Sequence, residues 1–361
     1  MAYTVGGKER NPMTSPTSPL VSSNGLITSK CYARAGFIGN PSDGFFGKTI
    51  AVSVHNWVAE VTIWESPDLV LEPSPISDLM NFDSLDQLHA KASTEGYYGG
   101  LRLLYATCKR FQDACTEHGV ELPARNFSLR YKTTIPRGLG LAGSSAIITA
   151  TLRALMRFFG VEGQIGTKAE LANLVLSVET QELSLTAGLQ DRVIQVYGGA
   201  VYMDFDRELM ERQGHGNYEP LDPGLFPPMF IAMVADPSDS SGMHSPVRVR
   251  WERGDQEVIE AMRNFADLAS RCRVALEAGD WAEVGRLVNA NFDLRRRLYG
   301  DAALGAANIE MIELARAAGA PAKFTGSGGA IMGLYRDDAH YAAIEARLTA
   351  HGYRVVRADI N

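Results

Sequence analysis

The segment Gly138-Leu-Gly140-Leu-Ala-Gly143-Ser144-Ser145 sets three glycines beside two adjacent hydroxyls. Glycines at that density leave backbone N–H groups open to an anion, and a helix starting at Ser144 aims the positive end of its dipole at the same point. The serines can cap that helix or reach a phosphate-bound divalent cation. The same letters spell a dinucleotide fingerprint, with Glu162 near the distance where that fold keeps an acidic residue. The preceding stretch speaks against it. Phe127, Leu129, Tyr131 and Thr133 alternate with Ser128, Arg130, Lys132 and Thr134, so one face meets water, whereas a Rossmann first strand is covered on both faces. Gly44-Phe-Phe-Gly47-Lys48-Thr49 resembles the end of a Walker A loop, but Ser42 stands where the first glycine belongs and a strand-like segment follows. A phosphate cradle and a plain glycine turn with a serine N-cap both remain open.

The elements that must position this loop can be read from periodicity. Ile27–Ile38 and Thr49–Ile63 have strand composition, with the turn residues Gly39-Asn-Pro-Ser-Asp43-Gly44 between them. Helices are predicted after Gly99-Gly100, over Ser144–Phe159 and over Lys168–Glu182, where Leu171, Val175 and Val178 face inward. Glu179 follows Val175 by four residues and shares its inward face, so its carboxylate wants a cation. Asp222-Pro-Gly-Leu-Phe-Pro-Pro228 is a break. Beyond it come a strand over 229–234, helices within 255–299 and near 303–318, a glycine-rich hairpin around 324–335, a helix over 339–351 and a last strand over 354–360. Strands and helices mixed in both halves indicate an α+β protein with three parts: a mobile leader over 1–25, a domain over 26–225 and a second over 226–361.

Composition narrows the partners. With 361 residues, 45% hydrophobic and a formal net charge of -7, the chain suits two sizeable domains and offers no diffuse basic surface for nucleic acid or an anionic membrane. Cys31, Cys108, Cys115 and Cys272 have neither zinc nor disulfide spacing and read as reduced thiols. The Ser-, Thr- and Pro-rich start lacks the apolar stretch of a signal peptide, and a cytoplasmic enzyme is the expectation.

Four segments together resemble the GHMP kinases. They are Lys30-Cys-Tyr-Ala-Arg34 through Gly39-Asn-Pro-Ser-Asp43, Pro136 through Ala146, Gly188-Leu-Gln-Asp191, and Lys323-Phe-Thr325-Gly326-Ser-Gly-Gly329. The family's second motif usually lacks the inserted Ala142. Further stretches (Gly188–Val193, Gln195–Gly199, Gly214–Tyr218, Asp236–Asp239, Asn291–Arg297) resemble the branch that phosphorylates D-glucuronate.

The resemblance implies a ribosomal S5 domain 2-like N-terminal domain with a left-handed βαβ unit, a ferredoxin-like C-terminal domain, and ATP between them. It makes Asp191 and Arg34 catalytic, although Asp191 taken alone reads as a helix cap. Gly138, Gly140, Gly143, Ser144, Ser145 and Gly326 would bind ATP, and Ser145 with Glu179 would hold Mg²⁺. Asp43 would meet the sugar, and Arg192 or Arg295 its carboxylate, with Arg248, Arg250 and the neighbours of Arg295 as further candidates. The reaction implied is transfer from ATP to the anomeric hydroxyl of a sugar acid. A kinase for a heptose, fucose or galactose and a silent sugar- or nucleotide-binding regulator are the alternatives.

Overall fold

The computed structural model describes residues 25–79, 81–95, 99–235 and 247–360. The expected leader, except Gly25, and the Asp236–His244 loop lie outside the described residues. In chain order the first half runs β1 (Ile27–Ile38), a 3₁₀ turn (Ser42–Phe45), β2 (Lys48–Glu65), β3 (Val70–Glu72), α1 (Leu85–Glu95), α2 (Gly100–Glu117), β4 (Phe127–Thr133), α3 (Gly143–Phe159) and α4 (Lys168–Ser177). A π turn (Val178–Glu182), α5 (Leu189–Tyr197), β5 (Ala200–Asp204), α6 (Arg207–Gln213) and β6 (Asn217–Leu221) complete it. The second half runs β7 (Met229–Met233), α7 (Val247–Glu252), α8 (Gln256–Glu277), α9 (Trp281–Tyr299), α10 (Asp301–Leu304) and α11 (Ala306–Ala317). It ends with β8 (Ala322–Phe324), β9 (Ala330–Leu334), α12 (Asp338–Thr349) and β10 (Arg354–Arg357).

The first sheet has the order β3-β4-β2-β5-β6, with β1 also paired to β2. All its ladders are antiparallel except β3–β4. The alternation in β4 is realised as Phe127, Leu129 and Tyr131 buried against Arg130 and Lys132 exposed. Behind the sheet runs α3, whose Ala-, Ile- and Leu-rich sequence is buried along nearly its whole length and stops at the left-handed Gly160. The second sheet is antiparallel in the order β10-β7-β9-β8. With helices between β7 and β8 and between β9 and β10, that order is the ferredoxin-like βαββαβ arrangement.

One apolar core runs through both halves, from Phe37 and Leu129 to Phe292 and Phe324. The segment after β10 also returns to the first hairpin: His55 N–H donates to Asp359 O at 2.6 Å, and Asn56 Nδ2 to Arg357 O at 2.9 Å. No described helix is long and apolar enough to cross a membrane.

Beyond shifts of element ends, such as a last strand that stops at Arg357, the structure differs from the sequence reading in the following ways. The helix expected over Lys168–Glu182 is α-helical only to Ser177, and its last turn, which contains Glu179, opens into a π turn. The helix near 303–318 is broken between α10 and α11 at Gly305, whose φ is 81°. The expected helix start at Ser144 moves to Gly143, and its N-cap is Ala142, not a serine.

Gly39 fixes the turn that leads to Asp43. Its φ is 87°, and a Cβ there would overlap the carbonyl oxygen of Lys48 on the partner strand. Gly39→Ala is therefore expected to destabilise the fold by about 2 kcal/mol or more, from left-handed strain of about 1–2 kcal/mol plus the overlap. Urea denaturation of the two proteins measures it.

Candidate active site

Strand β1 sets the foundation. Its period of two puts Arg34 and Gly36 on one face, toward the loops. Arg34 is 5% exposed, and its guanidinium makes a two-pronged bond to Asp191: Nε to Oδ1 at 2.6 Å and Nη2 to Oδ2 at 2.9 Å. Nη1 donates to Gly140 O at 2.7 Å and to Thr325 O at 3.1 Å. One side chain thus joins β1, the first glycine loop, α5 and the second glycine turn. Gly36 completes the junction, its N–H donating to Thr325 O at 2.8 Å.

The first glycine loop is held in an unusual backbone shape. Gly138 and Gly140 have φ of 73° and 61°, and Ala142 also sits in the left-handed region at 62°. For alanine that costs about 1–2 kcal/mol, so something must hold it. The Ala142 carbonyl does so, accepting from Gln195 Nε2 at 2.8 Å, Ala146 N at 3.2 Å and Ser145 Oγ at 3.3 Å. No side chain caps α3, which leaves the first amides of the helix for an incoming anion. The reading of this segment as a turn with a serine N-cap therefore falls. The second glycine turn closes on the first: a Cβ on Gly140 would stand 2.9 Å from Gly328 O, and one on Gly326 would stand 2.5 Å from Gly140 O.

Glu179, on the π turn, is 3% exposed. It accepts Ser144 Oγ at 2.7 Å on Oε1 and Arg192 Nε at 2.9 Å on Oε2, with Arg192 Nη2 closer still. The expectation sets Ser145 beside Glu179 as a Mg²⁺ pair, whereas the hydroxyl that bonds Glu179 in the structure belongs to Ser144. With the helix starting at Gly143, Ser144 points to Glu179, while Ser145 is fully buried and bonds back to Ala142. Glu179 and Ser144 form a carboxylate–hydroxyl pair beside the open amides of α3. That oxygen donor set suits a Mg²⁺ that takes its remaining ligands from phosphates and water.

Arg192 was expected near a substrate carboxylate, and its donors are already committed. Besides Glu179 it holds Gly188 O at 2.9 Å and Asp191 Oδ2 at 3.3 Å. Arg295 is 5% exposed, donates from Nη1 to Gly326 O at 3.0 Å, and lies over the rings of Phe324 and Tyr299. That places it as a brace under the second glycine turn.

Asp43 and Asp191 face each other with opposite electrostatics. Burial pushes the Asp191 carboxyl up, but the guanidinium groups of Arg34 and Arg192 outweigh it and hold the pKa below the usual carboxylate range. Asp43 lies over the start of α5, with Oδ2 2.5 Å from where a Cβ on Gly188 would sit. Burial first, then the charge of Asp191, push Asp43 up to about 6.

Lys323 is a residue that sequence reasoning left without a role. It is 1% exposed, with Nζ donating to Gly36 O at 2.6 Å and Phe324 O at 2.7 Å. Burial, then Arg295 and Arg34, hold its pKa well below that of an ordinary lysine. A lone cation between Ala322 and Phe324 in an apolar strand was the available signal.

Residues 102–199 match the family profile "GHMP kinases N terminal domain", and residues 272–354 match "GHMP kinases C terminal". The chain is 49% identical over 306 residues to Glucuronokinase 1 of Arabidopsis thaliana, covering 85% of this chain and 84% of that protein. It is 48% identical over 310 residues to Probable glucuronokinase 2 of the same plant, covering 86% and 84%. Among solved structures, Lactococcus lactis galactokinase complexed with galactose superposes with a TM-score of 0.70 at 17% identity, covering 93% of both chains.

The Glu179–Arg192 pair gives a direct test of how the site is held. Arg192→Met leaves Glu179 buried without its cation, and breaking a buried pair from one side costs about 3–5 kcal/mol. Thermal melting and denaturant midpoints should both fall accordingly.

Proposed function

This chain belongs to the GHMP kinases, a family of ATP-dependent phosphotransferases, and we propose that it is a glucuronokinase, transferring the γ-phosphoryl group of ATP to the anomeric hydroxyl of D-glucuronate. The observation that carries the substrate is the identity shared with the two plant glucuronokinases across both halves of the chain. The site geometry supports the reaction type. We divide the chain into domains over 26–225 and 226–361, the second sheet beginning at Met229. We place the enzyme in the cytoplasm, in keeping with its four free cysteines.

In this reading the phosphates of ATP lie against the amides of Gly138, Gly140, Gly143, Ser144 and Ser145, with Gly326 closing over them. Ser144 and Glu179 would hold Mg²⁺, which supplies charge neutralisation on the phosphates. The sugar sits between Asp43 and Asp191. As the anomeric oxygen bonds to the γ-phosphorus, the bond from that phosphorus to the β-bridging oxygen breaks and ADP leaves. The hydroxyl proton passes to Asp191. Held ionised by Arg34, Asp191 is a weak base, and that suffices because the transition state is loose and an anomeric hydroxyl is more acidic than an ordinary alcohol. Arg34 keeps Asp191 aimed and offsets charge on the transferring group. Asp43 accepts hydrogen bonds from other sugar hydroxyls and must be ionised to do so.

Coupled ADP release across a panel of uronic acids and neutral sugars tests the substrate: turnover of galactose, fucose or a heptose but not glucuronate would overturn it. Asp191→Asn should lower kcat by about 10²- to 10⁴-fold. The pH profile has a stated sign. Asp191 is ionised throughout the working range, whereas Asp43 loses its proton as pH rises through about 6. The kcat/KM for glucuronate should therefore climb across that interval, and Asp43→Asn should abolish the climb while lowering the plateau.

A further inference from the structure

Glucuronate carries its carboxylate on C5, the carbon joined to the anomeric carbon through the ring oxygen, and the identity of its protein partner rests on the glucuronokinase reading. Asp43 and Asp191 already face the sugar, so an anionic substrate there needs a cation not spent on the protein. Most arginines around the site fail that requirement. Arg34 is committed to Asp191, Gly140 O and Thr325 O. Arg192 is committed to Glu179, Asp191 and Gly188 O. Arg250 pairs with Asp255 and Glu257, and Arg296 with Asp301 and Glu313. Arg295 is buried under the Gly326 turn.

Arg248 differs. It sits at the start of α7, which packs beside the 3₁₀ turn carrying Asp43. Its guanidinium carbon lies over the Phe45 ring at 4.3 Å from the centroid and over that of Trp251 at 6.0 Å. Its Nη2 is 2.9 Å from where a Cβ on Gly44 would sit, so the residue next to Asp43 must be small for the guanidinium to lie there. The charges of Asp43 and Arg248 act on the Tyr299 hydroxyl in opposite directions, the first raising its pKa and the second lowering it. Among the described residues no carboxylate pairs with Arg248, and the side chain is exposed.

We infer that Arg248 is the residue that binds the carboxylate of the uronic acid and thereby sets specificity for it. The cation–π contact with Phe45 anchors the guanidinium, while its N–H groups stay available as a fork. A fork of that kind matches a carboxylate with two parallel bonds and has nothing comparable to offer a neutral hydroxymethyl group. Phe45 and Gly44 act as positioning residues, one supporting the guanidinium and the other leaving room for it.

The test compares the wild-type protein, Arg248→Lys and Arg248→Gln on glucuronate and on glucuronamide, which replaces the carboxylate by an uncharged amide. For Arg248→Gln, KM for glucuronate should rise about 10- to 100-fold, the effect of losing a charged hydrogen-bonded partner. Glucuronamide turnover and KM for ATP should change little, and the melting temperature should hold. Arg248→Lys should recover part of the glucuronate affinity, since it keeps the charge and loses the fork. Equal losses on both substrates would mean that Arg248 merely supports the loop, and no loss on either would place the carboxylate elsewhere. Both results overturn the inference. A wild-type protein inactive on glucuronate but active on a neutral sugar would instead overturn the functional reading beneath it.

Discussion

The guanidinium of Arg34 is the point on which the site depends. Four donor–acceptor contacts leave one planar group: two to Asp191, one to Gly140 O and one to Thr325 O. Those partners lie 157, 106 and 291 residues away in sequence, so segments with no local reason to meet are fixed by a single side chain. Charge-assisted bonds of this kind are short, directional and about twice as strong as neutral ones. A lysine could not reproduce them, because a point charge lacks the fork. The glycines around it answer to the same constraint. Gly36 and Gly326 allow backbone to approach Arg34 and its acceptors where a Cβ would collide with them.

Around that centre, environment separates groups of the same type. Asp43 and Asp191 are both aspartates at the mouth of α5, yet one is pushed up to about 6 and the other held low. The difference lies in the partners: Asp191 touches two guanidinium groups, whereas Asp43 mainly loses water and faces another anion. Divergence of this kind divides labour between neighbouring carboxylates. Below them, Glu179 is neutralised by Arg192, and Lys323 bonds two backbone carbonyls from beneath the second glycine turn.

Much of this was legible in the sequence because it rests on local pattern. Alternation in Phe127–Ile135 gave β4, the apolar run after Gly143 gave α3, and the Gly-rich stretch after Phe324 gave the turn between β8 and β9. Inward placement of Glu179 followed from its spacing to Val175. Pairing across distance did not show. Arg192 beside Asp191 looks available in one dimension, and only the fold reveals Glu179 waiting for it 13 residues upstream. Ser144 and Ser145 are equivalent in composition, and helical phase, set by a start at Gly143, decides which meets the carboxylate. Ala142 looked like an insertion in a glycine loop and proved to be a left-handed helix cap secured by Gln195, a contact no local rule announces.

The link from Arg34 to Thr325 also orders events in time. A ribosome delivers β1 and its arginine early, but the second glycine turn emerges almost 300 residues later, and the segment that returns to His55 and Asn56 later still. Contacts of such long range pay their loop-closure entropy late in folding. Between Asp191 and Thr325 the chain therefore carries Asp191, the first glycine loop and α3 without the turn that covers them. The catalytic constellation therefore exists only once segments almost 300 residues apart have met, so the site and the long-range fold form together.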